Sequence, residues 1–204
     1  MLAGKGAEAE VLECFFLGAP ALCKRRVRKQ YRIHSLDWRL RTERTKKEAR
    51  LLAAAKKCGA RCPLVLHADA VEKQVFENKL NGRLLREALP TLDSKRKKQV
   101  LEEAGRQLAL IHAAGIVHGD STTSNFFLCD DGKLWVIDFG LAENSASLEE
   151  RATDVLLFKK SVSSQQFASF VAGYAKHAPD VKKVLEQVSE IESRGRYVVR
   201  AMAK

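Results

Sequence analysis

Residues 118–140 read H-G-D-S-T-T-S-N-F-F-L-C-D-D-G-K-L-W-V-I-D-F-G. Two short apolar runs, 126–129 and 133–137, flank the D-D-G at 130–132, a hairpin signature. Such a hairpin carries Asp138 back beside Asn125. Asp120, Asn125 and Asp138 then converge from a polar loop, the hairpin entry and the hairpin exit. Any one of these residues alone is an ordinary turn or cap residue. Together they offer a carboxylate (Asp120) that can accept a proton or orient a nucleophile, and two further oxygen ligands. Asn125 supplies a neutral oxygen and Asp138 a carboxylate, the donors that a hard cation such as Mg²⁺ selects while keeping water in the rest of its shell.

Upstream of this stretch, Leu101, Ala104, Leu108 and Ile111 repeat at spacings of three, four and three, which predicts a helix from about 93 to 114 that Gly115 ends. Further toward the N-terminus, 9–17 and 20–27 read as strands around Gly18, with Pro20 opening the second. Residues 36–57 are rich in Leu, Ala, Arg, Lys and Glu and lack Pro and Gly, so summed propensity predicts one long helix, with Ser35 as its N-cap and Gly59 as its stop. Pro63 opens two more strands, 64–68 and 71–77, before Asn81-Gly82 breaks the pattern. Downstream, helices are expected near 147–160, 163–176 and 180–193. This order predicts an α+β chain of one domain over 1–204: a β-rich N-lobe (about 1–80) with one long helix, a reduced helical C-lobe (about 81–193) and a basic tail, 194–204. Ligands favour the cleft between such lobes.

A chain of 204 residues that is 46% hydrophobic and 30% charged has the balance of a globular protein. No apolar run approaches the roughly 18 to 20 residues that cross a bilayer, and the N-terminus lacks the pattern of a secretory signal, so no membrane partner and a cytoplasmic location are expected. The five cysteines are an odd number without a repeated C-x-x-C pair, which argues against a disulfide framework or a zinc site. Net charge is +11, and residues 24–57 alone hold 14 Lys and Arg against three acids. That concentration is the footprint of a polyanion partner or a solvated face.

H-x-D-x-x-x-x-N, two strands and D-F-G, in that order, resemble the protein-kinase signature. Phosphoryl transfer needs a phosphate clamp, metal ions and a carboxylate to orient the attacking group. ATP and Mg²⁺ are therefore the expected cofactors. The clamp calls for a lysine on an N-terminal strand paired with a helical glutamate. Lys24 follows A-L-C where the signature has V-A-I-K, and Glu48 lies in the long helix, with Glu43 as its competitor. Gly4 and Gly6, in G-K-G-A-E-A-E, precede that strand and could lay backbone N–H groups over phosphates. Backbone groups of Glu77 and Lys79, at the place of the hinge, could read adenine. A small-molecule phosphotransferase of the aminoglycoside or choline kinase type also uses H-G-D, but normally has a larger C-terminal half.

Two features depart from a typical protein kinase: Gly119 replaces the Arg of H-R-D, and no A-P-E follows D-F-G. The run C-K-R-R-V-R-K-Q-Y-R-I-H-S-L-D-W-R-L-R-T-E-R-T-K-K-E-A-R-L-L, with H-G-D-S-T-T-S-N-F, I-D-F-G-L, E-E-R-A-T-D-V-L-L and S-R-G-R-Y, resembles the small atypical kinase subunit of the KEOPS complex. That family is PRPK-like and kin to the RIO kinases. The resemblance implies a bilobal kinase fold and an ATPase or serine/threonine kinase activity. It also implies partnership with a threonylcarbamoyltransferase subunit and a small regulatory subunit, in support of the modification of adenosine 37 in tRNA. By motif match Asp120 would be the base, Asn125 and Asp138 the metal ligands, Lys24 the phosphate lysine and Glu48 its partner. The basic segment, with Arg194, Arg196 and Arg200 after the last helix, would face tRNA. Ser121 stands where the family usually has Leu, and R-G-R-Y-V-V-R is less basic than the family's usual tail.

Overall fold

The computed structural model describes the backbone of residues 2–5 and 9–202 and the side chains of residues 9–194. Its N-terminal half is an antiparallel sheet of five strands: β1 (Leu2–Lys5), β2 (Ala9–Phe16), β3 (Ala19–Arg26), β4 (Val65–Asp69) and β5 (Gln74–Asn78), in the order β1-β2-β3-β5-β4. Helix α1 (His34–Lys57) connects β3 to β4. The β2–β3 hairpin closes through Leu17 and Gly18, both at positive φ, a tight two-residue turn that matches the twist of its strands. β5 starts later than the alternation predicts. Asp69 accepts hydrogen bonds from the N–H groups of Val71 and Glu72, at 2.8 and 2.9 Å, and this local turn consumes the residues expected to open the strand.

α1 begins one residue before Ser35. Its N-cap is Ile33, without a side-chain hydrogen bond, so Ser35 lies in the first turn and is not the cap. The entry is held instead by Asp37, which accepts from the Lys29 N–H at 3.1 Å and pairs with Arg41 at 2.7 Å.

The second half contains β6 (Gly82–Leu84), α2 (Leu85–Ala88), α3 (Ser94–Ala113), β7 (Ile116–Val117), β8 (Phe126–Cys129), β9 (Leu134–Val136), β10 (Glu143–Asn144), α4 (Leu148–Lys160), α5 (Ser164–Ala175) and α6 (Val181–Met202). Asp93, Ser147 and Ser163 cap α3, α4 and α5 with side-chain bonds to backbone N–H groups, which places those starts where the sequence predicts them. β8 and β9 form the expected hairpin, and β6 adds to it as a third strand. The basic tail expected from 194 onward is instead the end of α6, because the apolar spacing of Val181, Val184, Val188 and Ile191 continues through Val198 and Met202.

The core runs from the C-terminal half of α1 (Leu51, Leu52, Ala55) into α3, the β8–β9 hairpin, α4, α5 and α6. α3 and α5 cross at two glycines. A Cβ at Gly105 would lie 2.0 Å from the Phe170 carbonyl oxygen, and one at Gly173 would lie 1.8 Å from that of Glu102. Among the described residues, no helix is long and apolar enough to cross a membrane.

Candidate active site

Alternation along β3 turns Lys24 toward the second lobe, and α1 brings Glu48 to meet it at 2.5 Å between Nζ and Oε1. Glu43, the competing acid, lies exposed 3.9 Å from Arg39. The same ammonium pairs with the Asp138 carboxylate, which the β8–β9 hairpin returns to the cleft. Burial alone would favour loss of the lysine's proton. The two carboxylates prevail and hold its pKa above the ordinary lysine value. Asp138 is lowered in turn: burial opposes its charge, but Lys24 and the Gly140 N–H, at 3.1 Å, stabilise it. Its backbone is left-handed, at φ 59°, an unfavourable conformation for a residue with a side chain that occurs often at functional turns.

Asp120 and Asn125 meet directly. The Asn125 amide NH₂ donates to the Asp120 backbone oxygen and to its Oδ2, both at 2.7 Å. Asn125 therefore has its amide oxygen left to bind a metal, and Asp120 has its second carboxylate oxygen left for a nucleophile.

Lys24, Asn125 and Asp138 contribute to a cavity of about 290 Å³, to which Val11 and Leu22 of the sheet and Phe127 and Ile137 of the hairpin give apolar walls. A cavity with apolar walls and the convergent polar groups of Lys24, Asn125 and Asp138 at one side fits a base at one part and phosphates with their metal at another. The oxygen-only donors Asn125 and Asp138 fit Mg²⁺, which is usually held by one or two carboxylates plus phosphate oxygens.

Of the two residues expected to read adenine, Glu77 lines this cavity and Lys79 does not. The Lys79 N–H donates to the Pro20 carbonyl at 3.3 Å and its ammonium pairs with Glu13 at 2.9 Å, so Asn78 and Leu80 take its place along the wall. Burial pushes the Glu77 carboxyl up to about 7, against the pull of Lys24. Gly4 pairs with Val11 in the sheet, while Gly6 lies outside the described residues. Arg194 pairs with Glu149 at 2.9 Å on the α4–α6 side, and the side chains of Arg196 and Arg200 lie outside the described residues.

Two residues that motif reading passes over organise the site. Asp154 of α4, its side chain only 1% exposed, accepts from the backbone N–H groups of His118 (2.6 Å) and Gly119 (2.8 Å) and from His112 Nε2 (3.0 Å). Burial keeps His112 neutral and lowers its pKa, so Nε2–H donates to Asp154 while Nδ1 accepts from the Tyr174 hydroxyl at 2.8 Å. His118 in turn donates from Nε2 to the Ile137 carbonyl at 3.0 Å and accepts the Asp120 N–H on Nδ1 at 3.3 Å. The second residue is Arg26, whose guanidinium pairs with Glu48. The available signal for Asp154 was an acid between Ala152, Val155 and Phe158 on a buried helix face, and for Arg26 its position two residues from Lys24 on one strand face.

The segment after D-F-G is short and tied down. β10 pairs with β7, the Ser145 N–H donates to the Gly115 carbonyl at 2.8 Å, and Lys47 of α1 pairs with Glu143. Gly119 has φ +79°, and a Cβ there would lie 2.5 Å from the Leu141 carbonyl oxygen, which explains why no arginine occupies this position.

A strand-rich lobe with one long helix, set against a helical lobe over this constellation, defines a protein-kinase-like chain. A family model described as "RIO domain" matches residues 21–158, and the chain belongs to the RIO domain family. The "KEOPS complex subunit Bud32" of Pyrococcus abyssi is 36% identical, over 97% of this chain and 96% of that protein. A "Probable bifunctional tRNA threonylcarbamoyladenosine biosynthesis protein" of Methanobrevibacter smithii is 37% identical over 96% of this chain, and one of Methanospirillum hungatei is 40% identical over 95%. The chain spans only 36% of the length of these two bifunctional relatives. The similarity to KEOPS kinase subunits that the sequence carries is thereby borne out.

Proposed function

We propose that this chain is a Mg-ATP-dependent ATPase and atypical serine/threonine protein kinase that serves as a KEOPS subunit and supports threonylcarbamoylation of adenosine 37 in tRNA. The observation that carries the reading is the convergence of Lys24, Asn125 and Asp138 on one cavity, with Glu48 paired to Lys24 and Asp120 hydrogen-bonded to Asn125 behind them, in a chain whose relatives carry KEOPS and tRNA threonylcarbamoyladenosine names. Mg-ATP, when bound, supplies the transferable γ-phosphoryl group and the charge neutralisation it needs. Lys24, oriented by Glu48, would contact phosphate oxygens. Asn125 and Asp138 would hold the metal through oxygen. Asp120, fixed by Asn125, accepts the proton of the attacking water or hydroxyl.

The strapped segment between Asp138 and α4 gives no extended platform for a peptide substrate, which favours hydrolysis coupled to partners over phosphorylation of many proteins. Those partners are a threonylcarbamoyltransferase subunit, a small regulatory subunit and tRNA, in the cytoplasm. ATP hydrolysis measured with and without the transferase and tRNA tests the reading. Asp120→Ala and Asp138→Ala should each lower turnover by about a hundredfold or more, and an unaltered rate in either would sink it.

A further inference from the structure

β3 turns two cations to one face, Lys24 and Arg26, and Glu48 of α1 receives both. Its Oε1 meets the Lys24 ammonium, and its Oε2 meets the Arg26 guanidinium. The Glu48 and Arg26 side chains are only 1% and 4% exposed, so this is a buried arrangement in which both carboxylate oxygens are committed. Arg26 also reaches the D-F-G turn: a Cβ at Gly140 would lie 3.7 Å from its Nη2. Arg26 does not line the cavity, whereas Lys24 does.

The two cations therefore face different demands when a nucleotide enters. Lys24 is shared between Glu48 and Asp138. A triphosphate with its metal competes for both Lys24 and Asp138. If Lys24 were its only partner, Glu48 would be left short of positive charge in a buried place, a costly state that α1 could relieve by shifting. Arg26 lies off the ligand's path and keeps its bond.

We propose that Arg26 is a positioning residue that holds Glu48, and through it the register of α1, while Lys24 exchanges Asp138 for nucleotide phosphates. This rests on the reading that the site uses Mg-ATP. It would supply, from within the sheet, an ordering of the glutamate-bearing helix that needs no modification of the segment after D-F-G.

A double-mutant cycle of Arg26→Gln with Glu48→Gln tests it, read as kcat and KM for ATP hydrolysis by the full chain with its partner subunits. Arg26→Gln should lower kcat by about tenfold, as expected for loss of a charged hydrogen bond, and change KM by less than about threefold. Arg26→Lys should recover most of the loss. In the Glu48→Gln background, Arg26→Gln should change kcat by less than about twofold, because the residue acts through Glu48. An unchanged kcat in Arg26→Gln overturns the proposal. So do losses that multiply across the cycle, or a loss that merely tracks the folded fraction seen by circular dichroism. Should Arg26→Gln not fold, Arg26→Lys takes its place in the same cycle, with a loss of about threefold that must vanish in Glu48→Gln. Equal rates for wild type and Asp138→Ala would instead show that the Mg-ATP reading has failed.

Discussion

Asp154 holds the loop that begins at His118 and Gly119, with three hydrogen bonds on a buried carboxylate. Asp154→Asn keeps the shape but turns one acceptor into an NH₂ that faces N–H groups. Unsatisfied buried donors cost roughly 1–3 kcal/mol each, so a loss of about 2–4 kcal/mol in urea unfolding is expected, together with lower turnover; wild-type stability would refute the role. Glu77 makes a prediction in pH. Its folded pKa of about 7 lies above its ordinary 4.5, so between these values the folded chain holds a proton that the unfolded chain releases. Stability contributed at this site is present below pH 4.5 and is lost as pH rises toward 7. Glu77→Gln should therefore be more stable than wild type at pH 8 by on the order of 1–3 kcal/mol, with the gap closing toward pH 5. An equal gap at both pH values would exclude this cause. The convergence of Asp120, Asn125 and Asp138 was legible because they sit at fixed spacings around a hairpin. Asp154 and Arg26 were not, because a buried charge is explained by partners remote in sequence, and one sequence does not announce them.

At the scale of elements, patterns local to the chain were readable and those set by distant contacts were not. The α3, α4 and α5 starts follow from caps at Asp93, Ser147 and Ser163, while β7 and β10, two residues each, exist only because they pair with one another. The α3–α5 crossing gives a test in which propensity and packing oppose. Alanine in place of Gly173 gains up to about 1 kcal/mol as a helix former. Its Cβ, however, would lie 1.8 Å from the Glu102 carbonyl oxygen, and backbone must move to admit it. Overpacking costs about 1–3 kcal/mol or more, so the clash should win. The expected result is a melting temperature lower by several degrees, at about 2–4 °C per kcal/mol; a higher one would mean that the helices separate freely. The charge of the basic segment, residues 24–57 from β3 through α1, also reads differently once folded. Lys24 and Arg26 are taken by Glu48, Arg41 by Asp37 and Lys47 by Glu143. Lys46 and Arg50 stay exposed on one face of the helix. If that face lies on tRNA, Lys46→Glu with Arg50→Glu should weaken binding at low salt and reduce the log–log salt slope by about 2. An unchanged slope would remove α1 from the RNA path.

Across the whole molecule, the apolar core and the lobe boundary do not coincide. Leu51, Leu52 and Ala55 of α1 belong to the continuous core of the helical half, whereas, among the described residues, the buried apolar side chains of the sheet, Ala9, Ala21, Cys23 and Val75, lie outside that core and are small. The strand-rich unit thus depends more on its hydrogen-bond ladder and on the ion pairs of the cleft. Regions with few buried apolar contacts open at lower free energy than the global transition. Amides of β2, β3 and β5 should accordingly exchange with solvent through a sheet opening that leaves α3 and α5 protected. A nucleotide in the cavity would touch both Val11 and Leu22 of the sheet and Phe127 and Ile137 of the hairpin, so it should bind only while sheet and hairpin stay together. Preferential binding stabilises by about 2.7 kcal/mol at a hundred times Kd, which corresponds to about a hundredfold slower exchange of those strand amides with Mg-ATP. At the same nucleotide concentration, Asp138→Ala should lose most of the slowing that depends on magnesium. Hydrogen exchange followed by mass spectrometry on all four states, wild type and variant with and without Mg-ATP, decides the matter. Equal protection of the strands and of α3 in the free protein would show that sheet and helices open as one unit and that the cleft ion pairs do not set the weak point.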